Sequence, residues 1–296
     1  MKFRYAPTPS GYLHQGNLCN FLLTWLLARA SGSPILLRID DLDRERLRPA
    51  YLDYIFHTLD RFQLDYDEGP SGPEDFERKW SQRHRKNLYA ESLDKLIASG
   101  RVYDCSCTRS QTQAGDTCRC QKNNYPLHLP GTAWKWSVLQ EDTFAFTDVL
   151  AGPVSIRDEE KADFTVRKKD GMASYQVTSL VDDHHFGITH LVRGIDLAAS
   201  TAMQLQLDIH GLSGNFHRST FFHHPLLNDE RGDKLSKSAD NSLKEKHSSE
   251  LNLENALQTV AHWLGLNELQ HASTKEDFLH LHGDFLRKMT LISPAV

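Results

Sequence analysis

Residues 6–17 read APTPSGYLHQGN, and LCNFLLTWLLARA (residues 18–30) follows at once. Two prolines, two glycines and a lone histidine separate a short β-like lead-in, Phe3–Pro7, from an apolar run of helical period, Leu18–Ala30. A turn of this kind presents the unpaired N–H groups and positive dipole end of a helix start to a phosphate. Gly11 and Gly16 let a ligand approach the backbone closely. His14 can donate a hydrogen bond to a phosphate oxygen whose charge grows in a transition state. Alone, the stretch also fits a Pro/Gly turn with an incidental histidine.

The surrounding pattern places this turn in a fold. Leu18–Ala30 predicts an amphipathic helix with Leu18, Phe21, Leu22, Trp25 and Leu26 on one side, ended by Gly32-Ser33-Pro34. Ile35–Ile39 is a compact apolar run suited to a buried parallel strand. Strand, helix and strand in this order open a doubly wound α/β domain. Further along, Tyr51–Phe62 and residues 81–99 read as helices, the second ending at Gly100. Residues 132–170 read as short strands, Ser174–Val181 and Ile188–Val192 as core strands, and 197–211 and 251–264 as helices.

Bulk properties set limits. The chain has 296 residues, 39% hydrophobic and 25% charged, an ordinary globular balance. Its net charge of -5 neither supports nor excludes RNA, because a local basic face can serve a phosphate backbone. No run approaches the roughly 18 apolar residues of a membrane span. No signal-peptide pattern precedes Phe3, so a cytosolic protein with reduced thiols is expected.

Two further clusters carry chemistry. Cys105-x-Cys107 and Cys118-x-Cys120 offer four thiolates suited to a tetrahedral structural zinc, with two idle cysteine pairs as the alternative. Lys234-Leu235-Ser236-Lys237-Ser238 offers two lysines three apart, a mobile clamp for a polyphosphate or, by itself, only a solvated charged loop.

Together, the turn bearing His14 and the KLSKS loop resemble the HIGH and KMSKS signatures of class I aminoacyl-tRNA synthetases. RYAPTPSGYLHQGN (4–17), LLRIDDLDRER (36–46), LDYDEGP (64–70) and YQVTSLVDDHHFGITHLVRGIDL (175–197) are similar to the glutamyl branch of that family. Full-length members of that branch carry a helical anticodon-binding region after the KMSKS loop, and here only residues 239–296 follow. The resemblance therefore points to the truncated branch that activates glutamate with ATP and esterifies it to the queuosine base of tRNA(Asp). A truncated glutamyl-tRNA synthetase charging a 3′ end, a relative serving a non-tRNA acceptor and an inactive RNA-binding relative are the alternatives.

The resemblance implies an α/β, Rossmann-like catalytic domain with a zinc-bearing insertion and a short C-terminal helical region. Its halves would be 1–100 and 171–225, the insertion 101–170, and the KLSKS loop with the helical region 226–296. It implies that His14 and Asn17 hold the first and last HIGH positions, with Gly16 and Leu235 also at ATP. Lys237 would stabilise the pentavalent phosphate, supported by Lys234. Glutamate would be held by Arg4, Ala6, Thr8, Tyr175 and Arg193, the guanidiniums gripping carboxylates in bidentate fashion. Asp40 stands where the family usually has a glutamate that pairs with the substrate's α-amino group. The branch also commonly replaces one zinc cysteine by tyrosine, which makes Tyr125 or His128 an alternative ligand. Mg²⁺ would accompany ATP, and a monomer is expected. The pairs His184-His185 and His223-His224, read as strand neighbours on opposite faces, make poor chelates. Asp182-Asp183 is expected to serve structure or the ATP ribose, and Trp134 and Trp136 to be core or platform.

Overall fold

A computed structural model describes residues 1–108, 111, 118, 120–123, 127, 129–156, 162–227, 251–266 and 273–292. The KLSKS loop, with Lys234, Leu235 and Lys237, lies outside the described residues, as do Tyr125 and His128.

The chain opens as βαβ. Strand β1 (Phe3–Tyr5) leads through the Pro/Gly turn into helix α1 (Gln15–Ala30) and returns as β2 (Ile35–Leu37). β1 and β2 pair in parallel, Phe3 opposite Ile35 and Tyr5 opposite Leu37. Helix α2 (Pro49–Arg61) follows, with proline in its first turn, where no N–H is missed. Helix α3 is Lys86–Ala98.

The chain then leaves the parallel layer. β3 (Val102–Cys105), β4 (Ala133–Trp136) and β7 (Phe164–Arg167) form an antiparallel sheet, and β5 (Ala145–Asp148) and β6 (Gly152–Ser155) a separate hairpin. Trp134 and Trp136 are buried among Phe144, Phe146, Phe164 and Val166, so both are core. The parallel layer resumes with β8 (His190–Gly194), helix α5 (Ala198–Leu207) and β9 (Thr220–His224), in register from His190–Thr220 to Gly194–His224. The Lys2 carbonyl accepts from the Thr189 and His190 N–H groups, which ties β8 to the chain's start. Val149 N–H donates to the Phe221 carbonyl, which ties the β5–β6 hairpin to β9. Helices α6 (Leu253–Trp263) and α7 (Lys275–Thr290) complete the described chain.

Two sequence expectations change. α1 is not amphipathic: Cys19, Leu23, Thr24, Leu27 and Ala28 are buried along with the expected face, and α6 and α7 also pack against it. A helix apolar all round needs such a double cover. Residues 174–181 are not a strand but the start of helix α4 (Tyr175–His185). Valine and threonine suggest β there, yet Val177, Leu180 and Val181 fall three and four apart and fill the core as a helical stripe. That helix places Asp182 and Asp183 deep in the molecule. It also moves His184-His185 from a strand to the end of a helix, whereas His223-His224 does lie in a strand.

Candidate active site

A cavity of about 250 Å³ opens where the first turn, the ends of β8 and β9, and α6 meet. Of the residues expected at substrate, Arg4, Ala6, Thr8, His14, Gly16, Asn17, Tyr175 and Arg193 line it. This position, outside the carboxyl ends of parallel strands, is where open α/β sheets bind ligands.

The helix start is built from His14. It is the N-cap of α1: its Nδ1 accepts from the Gly16 N–H at 3.1 Å, while the Asn17 Oδ1 accepts from the His14 N–H at 3.0 Å. An accepting Nδ1 leaves the proton of the neutral ring on Nε2, so the ring's donor is fixed by the cap. Asn17 uses its oxygen in this reciprocal box, and the NH₂ remains its donor end. Gly16 is required by proximity, since a Cβ there would lie 3.0 Å from His14 Cε1 and 3.1 Å from Nδ1. Gly16→Ala is expected to displace the ring and slow adenylate formation by roughly tenfold with an unchanged melting temperature. An unchanged rate would show that the ring's position does not matter.

The same cavity is lined by an arginine array. Asp183, fully buried, accepts from Arg4 Nε at 3.2 Å, Arg38 Nη1 at 2.6 Å and Arg193 Nη2 at 3.2 Å. Burial works to raise the Asp183 carboxyl, but the three guanidiniums outweigh it and hold it below the ordinary carboxylate range. Burial pulls Arg4 down to about 10 against the pull of Asp183. Asp40 joins the same network, its two oxygens accepting from Arg38 Nε at 2.7 Å and Nη2 at 3.0 Å. Three guanidiniums thus share two carboxylates, Asp183 and Asp40. Arg4 and Arg193 reach the cavity wall, and the buried Arg193 Nε has no partner among the described residues. An anionic group is the chemistry that such a wall accepts.

Asp40 departs from expectation. It does not line the cavity, because Arg38 takes both of its oxygens inside the network. The carboxylate that does line the cavity is Asp196, at the turn after β8. Gly194 makes room for it, since a Cβ there would lie 2.5 Å from Asp196 Oδ1. Tyr175 also differs: it begins α4 at the cavity rim, 39% exposed, rather than sitting in a strand. Asp182 is purely structural in its contacts, held by Arg85, Tyr89 and Gln82.

Asn20, His224 and Trp263 are among the lining residues that sequence reading missed. His224 Nδ1 lies 2.8 Å from the Pro225 carbonyl and Nε2 lies 3.0 Å from Asn20 Nδ2. Its ring stacks on Trp263 at 4.2 Å between centroids. Burial lowers the His224 pKa, so the ring is a neutral, flat wall at neutral pH. Nothing local in the sequence marks Trp263, whereas Asn20 sits one helical turn after Gly16 and could have been found by period.

The four cysteines form a second centre. Sγ of Cys105 lies 3.6 Å from that of Cys118, and Cys107 lies 3.7 Å from Cys118 and 3.6 Å from Cys120. All four sulfurs fall within 4.8 Å of one another, and none is in a disulfide. A metal with bonds of about 2.3 Å to sulfur sets tetrahedral sulfur–sulfur edges near 3.8 Å, so this donor set fits a closed metal site. Among the described residues, no helix is long and apolar enough to cross a membrane.

Comparison with known proteins agrees with this geometry. The family model for tRNA synthetases class I (E and Q), catalytic domain, matches residues 1–125 and 135–280. The glutamyl-Q tRNA(Asp) synthetase of Nitratidesulfovibrio vulgaris is 36% identical over 260 residues, 79% of this chain and 76% of that protein. Its counterpart from Cupriavidus metallidurans is 38% identical over 250 residues, with the same coverage of each chain, 79% and 76%. A glutamate–tRNA ligase of Dehalococcoides mccartyi is 32% identical over 220 residues, 70% of this chain but 45% of that protein. In fold, the chain is similar to a glutamate tRNA ligase of Elizabethkingia meningosepticum solved with its amino acid, at TM-score 0.68 and 23% identity, covering 84% of this chain and 53% of that one. A capped helix start, an anion-accepting wall and a catalytic-domain match over most of the sequence converge: this chain belongs to the class I tRNA synthetases of the E and Q group and is a ligase of that family.

Proposed function

We propose that the protein activates glutamate with ATP and transfers the glutamyl group to the queuosine base of tRNA(Asp). The observation that carries the reading is the pair of buried guanidiniums, Arg4 and Arg193, that line the same cavity as the His14 helix start. The glutamate side-chain carboxylate fits the arginine wall, and the α-carboxylate attacks the α-phosphate of ATP, releasing pyrophosphate. No covalent enzyme intermediate is needed, since positioning and charge stabilisation carry the step. His14 and Asn17 donate to phosphate oxygens, and Gly16 lets the nucleotide pack on the turn. By resemblance, Lys237 supplies charge to the pentavalent phosphate, with Lys234 beside it and Leu235 against the nucleotide, while Mg²⁺ accompanies ATP. Residues 1–100 and 171–225 are the catalytic halves in this reading, 101–170 the insertion facing RNA, and 226–296 the signature loop with the helical end.

Sequence identity favours queuosine over a tRNA 3′ end. Two relatives named glutamyl-Q tRNA(Asp) synthetase are 36% and 38% identical to this chain, against 32% for the glutamate–tRNA ligase. The test is transfer of labelled glutamate to tRNA(Asp) with and without queuosine. Label on the queuosine-bearing RNA alone is expected, and label at the 3′ end of either RNA would overturn the acceptor assignment.

The metal is zinc in this reading, held by Cys105, Cys107, Cys118 and Cys120 and serving structure, because four protein ligands leave no open position. Metal analysis of protein purified without chelator is expected to find one zinc per chain. Its removal should lower the melting temperature and spare the amino-acid pocket. A metal-free protein of full stability would refute the site.

A further inference from the structure

The arginine wall is reached by a second buried chain of contacts that starts outside the parallel layer. Arg193 Nη1 donates to Thr201 Oγ1 at 3.0 Å, Thr201 Oγ1 lies 2.9 Å from His223 Nε2, and His223 Nδ1 lies 2.7 Å from Asp148 Oδ2. Asp148 ends β5 in the hairpin between the two catalytic halves, and His223 lies near the end of β9. Each of the four is at most 2% exposed, so water cannot replace a lost partner.

The proton order follows from chemistry. The Asp148 carboxylate is acceptor-only and also takes the N–H groups of His223, Leu150 and Ala151, which locks it in place. His223 therefore carries its proton on Nδ1 and offers a lone pair at Nε2. Burial lowers the His223 pKa even against its bond to Asp148, which keeps the ring neutral at neutral pH. The Thr201 hydroxyl has a proton to give to Nε2, with the Leu197 carbonyl at 3.1 Å as its other acceptor, and its lone pairs face Arg193. Arg193 Nη1 has a second acceptor, Gln204 Oε1, at 2.6 Å.

We propose that Asp148, His223 and Thr201 act as positioning residues for Arg193, fixing the guanidinium that grips the amino-acid carboxylate. The inference rests on the proposed glutamate reading. It makes the hairpin that carries Asp148 part of the amino-acid site, although Asp148 does not line the cavity.

Glutamate-dependent pyrophosphate exchange of the full chain tests it. Thr201→Val keeps the branched shape and removes the hydroxyl. It is expected to raise the glutamate KM roughly tenfold, about the loss of one hydrogen bond to a charged group, while the ATP KM stays within about twofold. Thr201→Ser should restore the wild-type value. Asp148→Asn should raise the same KM, and the Asp148→Asn/Thr201→Val double variant should be no worse than the weaker single variant, as members of one chain are not additive. Equal changes in both KM values with a fall in melting temperature, or additive effects, would overturn the proposal. A wild-type chain that exchanges with no amino acid would instead defeat the glutamate reading. Nitrogen NMR of histidine-labelled protein then still judges the relay: His223 should carry its proton on Nδ1, and Thr201→Val should shift its Nε2 signal. An Nε2-protonated ring would overturn the relay.

Discussion

Asp183→Ala is expected to leave little folded protein at neutral pH. The carboxylate is the common partner of Arg4, Arg38 and Arg193, all buried. Removing one member of a buried ion pair typically costs about 3–5 kcal/mol, because the partner's charge is left without compensation. Here three guanidiniums lose their shared acceptor, and Asp40 remains to neutralise only Arg38. Whole domains are stable by about 5–15 kcal/mol, so this single loss takes a large share of the total. Urea unfolding of Asp183→Ala and Asp183→Asn beside the wild type measures it, and midpoints within about 0.3 M of the wild type would show that the array holds without its hub. The pH dependence has a fixed sign. The folded Asp183 pKa lies below its unfolded value, so its contribution is fully present above the ordinary carboxylate range. It is lost as pH falls through the depressed folded value. The stability gap between wild type and Asp183→Asn should therefore be constant near neutrality and close in acid.

His14→Ala is expected to cut adenylate formation by roughly 10²–10³, the usual cost of a donor aimed at developing charge. Stability should fall much less, because loss of an N-cap costs about 1 kcal/mol. His14 has both jobs, with Nδ1 serving the cap and the opposite nitrogen carrying the proton. His14→Asn separates them. Asparagine caps helices well but does not place a donor where the imidazole Nε2 stands. It should recover stability without recovering rate. Exchange kinetics and thermal unfolding on the same preparations check this, and a full rate in His14→Asn would reduce His14 to a cap.

The sequence was legible where local chemistry and chain order coincide. The turn 6–17 could be read because glycine, proline and histidine announce a helix start, and a helix start has one electrostatic character whatever surrounds it. The cysteine cluster was equally legible, its two CxC pairs meeting as sulfurs within 4.8 Å. Reading failed where burial overrides propensity. YQVTSLVDD looks like a strand by composition, but packing of Val177, Leu180 and Val181 makes it a helix, and only the helix brings Asp183 to three arginines. Asp40 stands apart from the cavity lining for a related reason. Sequence neighbours Arg38 and Asp40 lie on one face of an extended segment, so the short carboxylate meets the arginine before it can meet a ligand. Trp263 and His224 come from distant parts of the chain, and their stacking is a tertiary fact without local signal.

Pyrophosphate exchange across all amino acids, run with ATP and without tRNA, tests the functional reading most directly. Glutamate alone should drive exchange, because its side-chain carboxylate matches the Arg4 and Arg193 guanidiniums at the cavity wall. Exchange that begins only when tRNA(Glu) is added, or that prefers an amino acid without a second carboxylate, would contradict it.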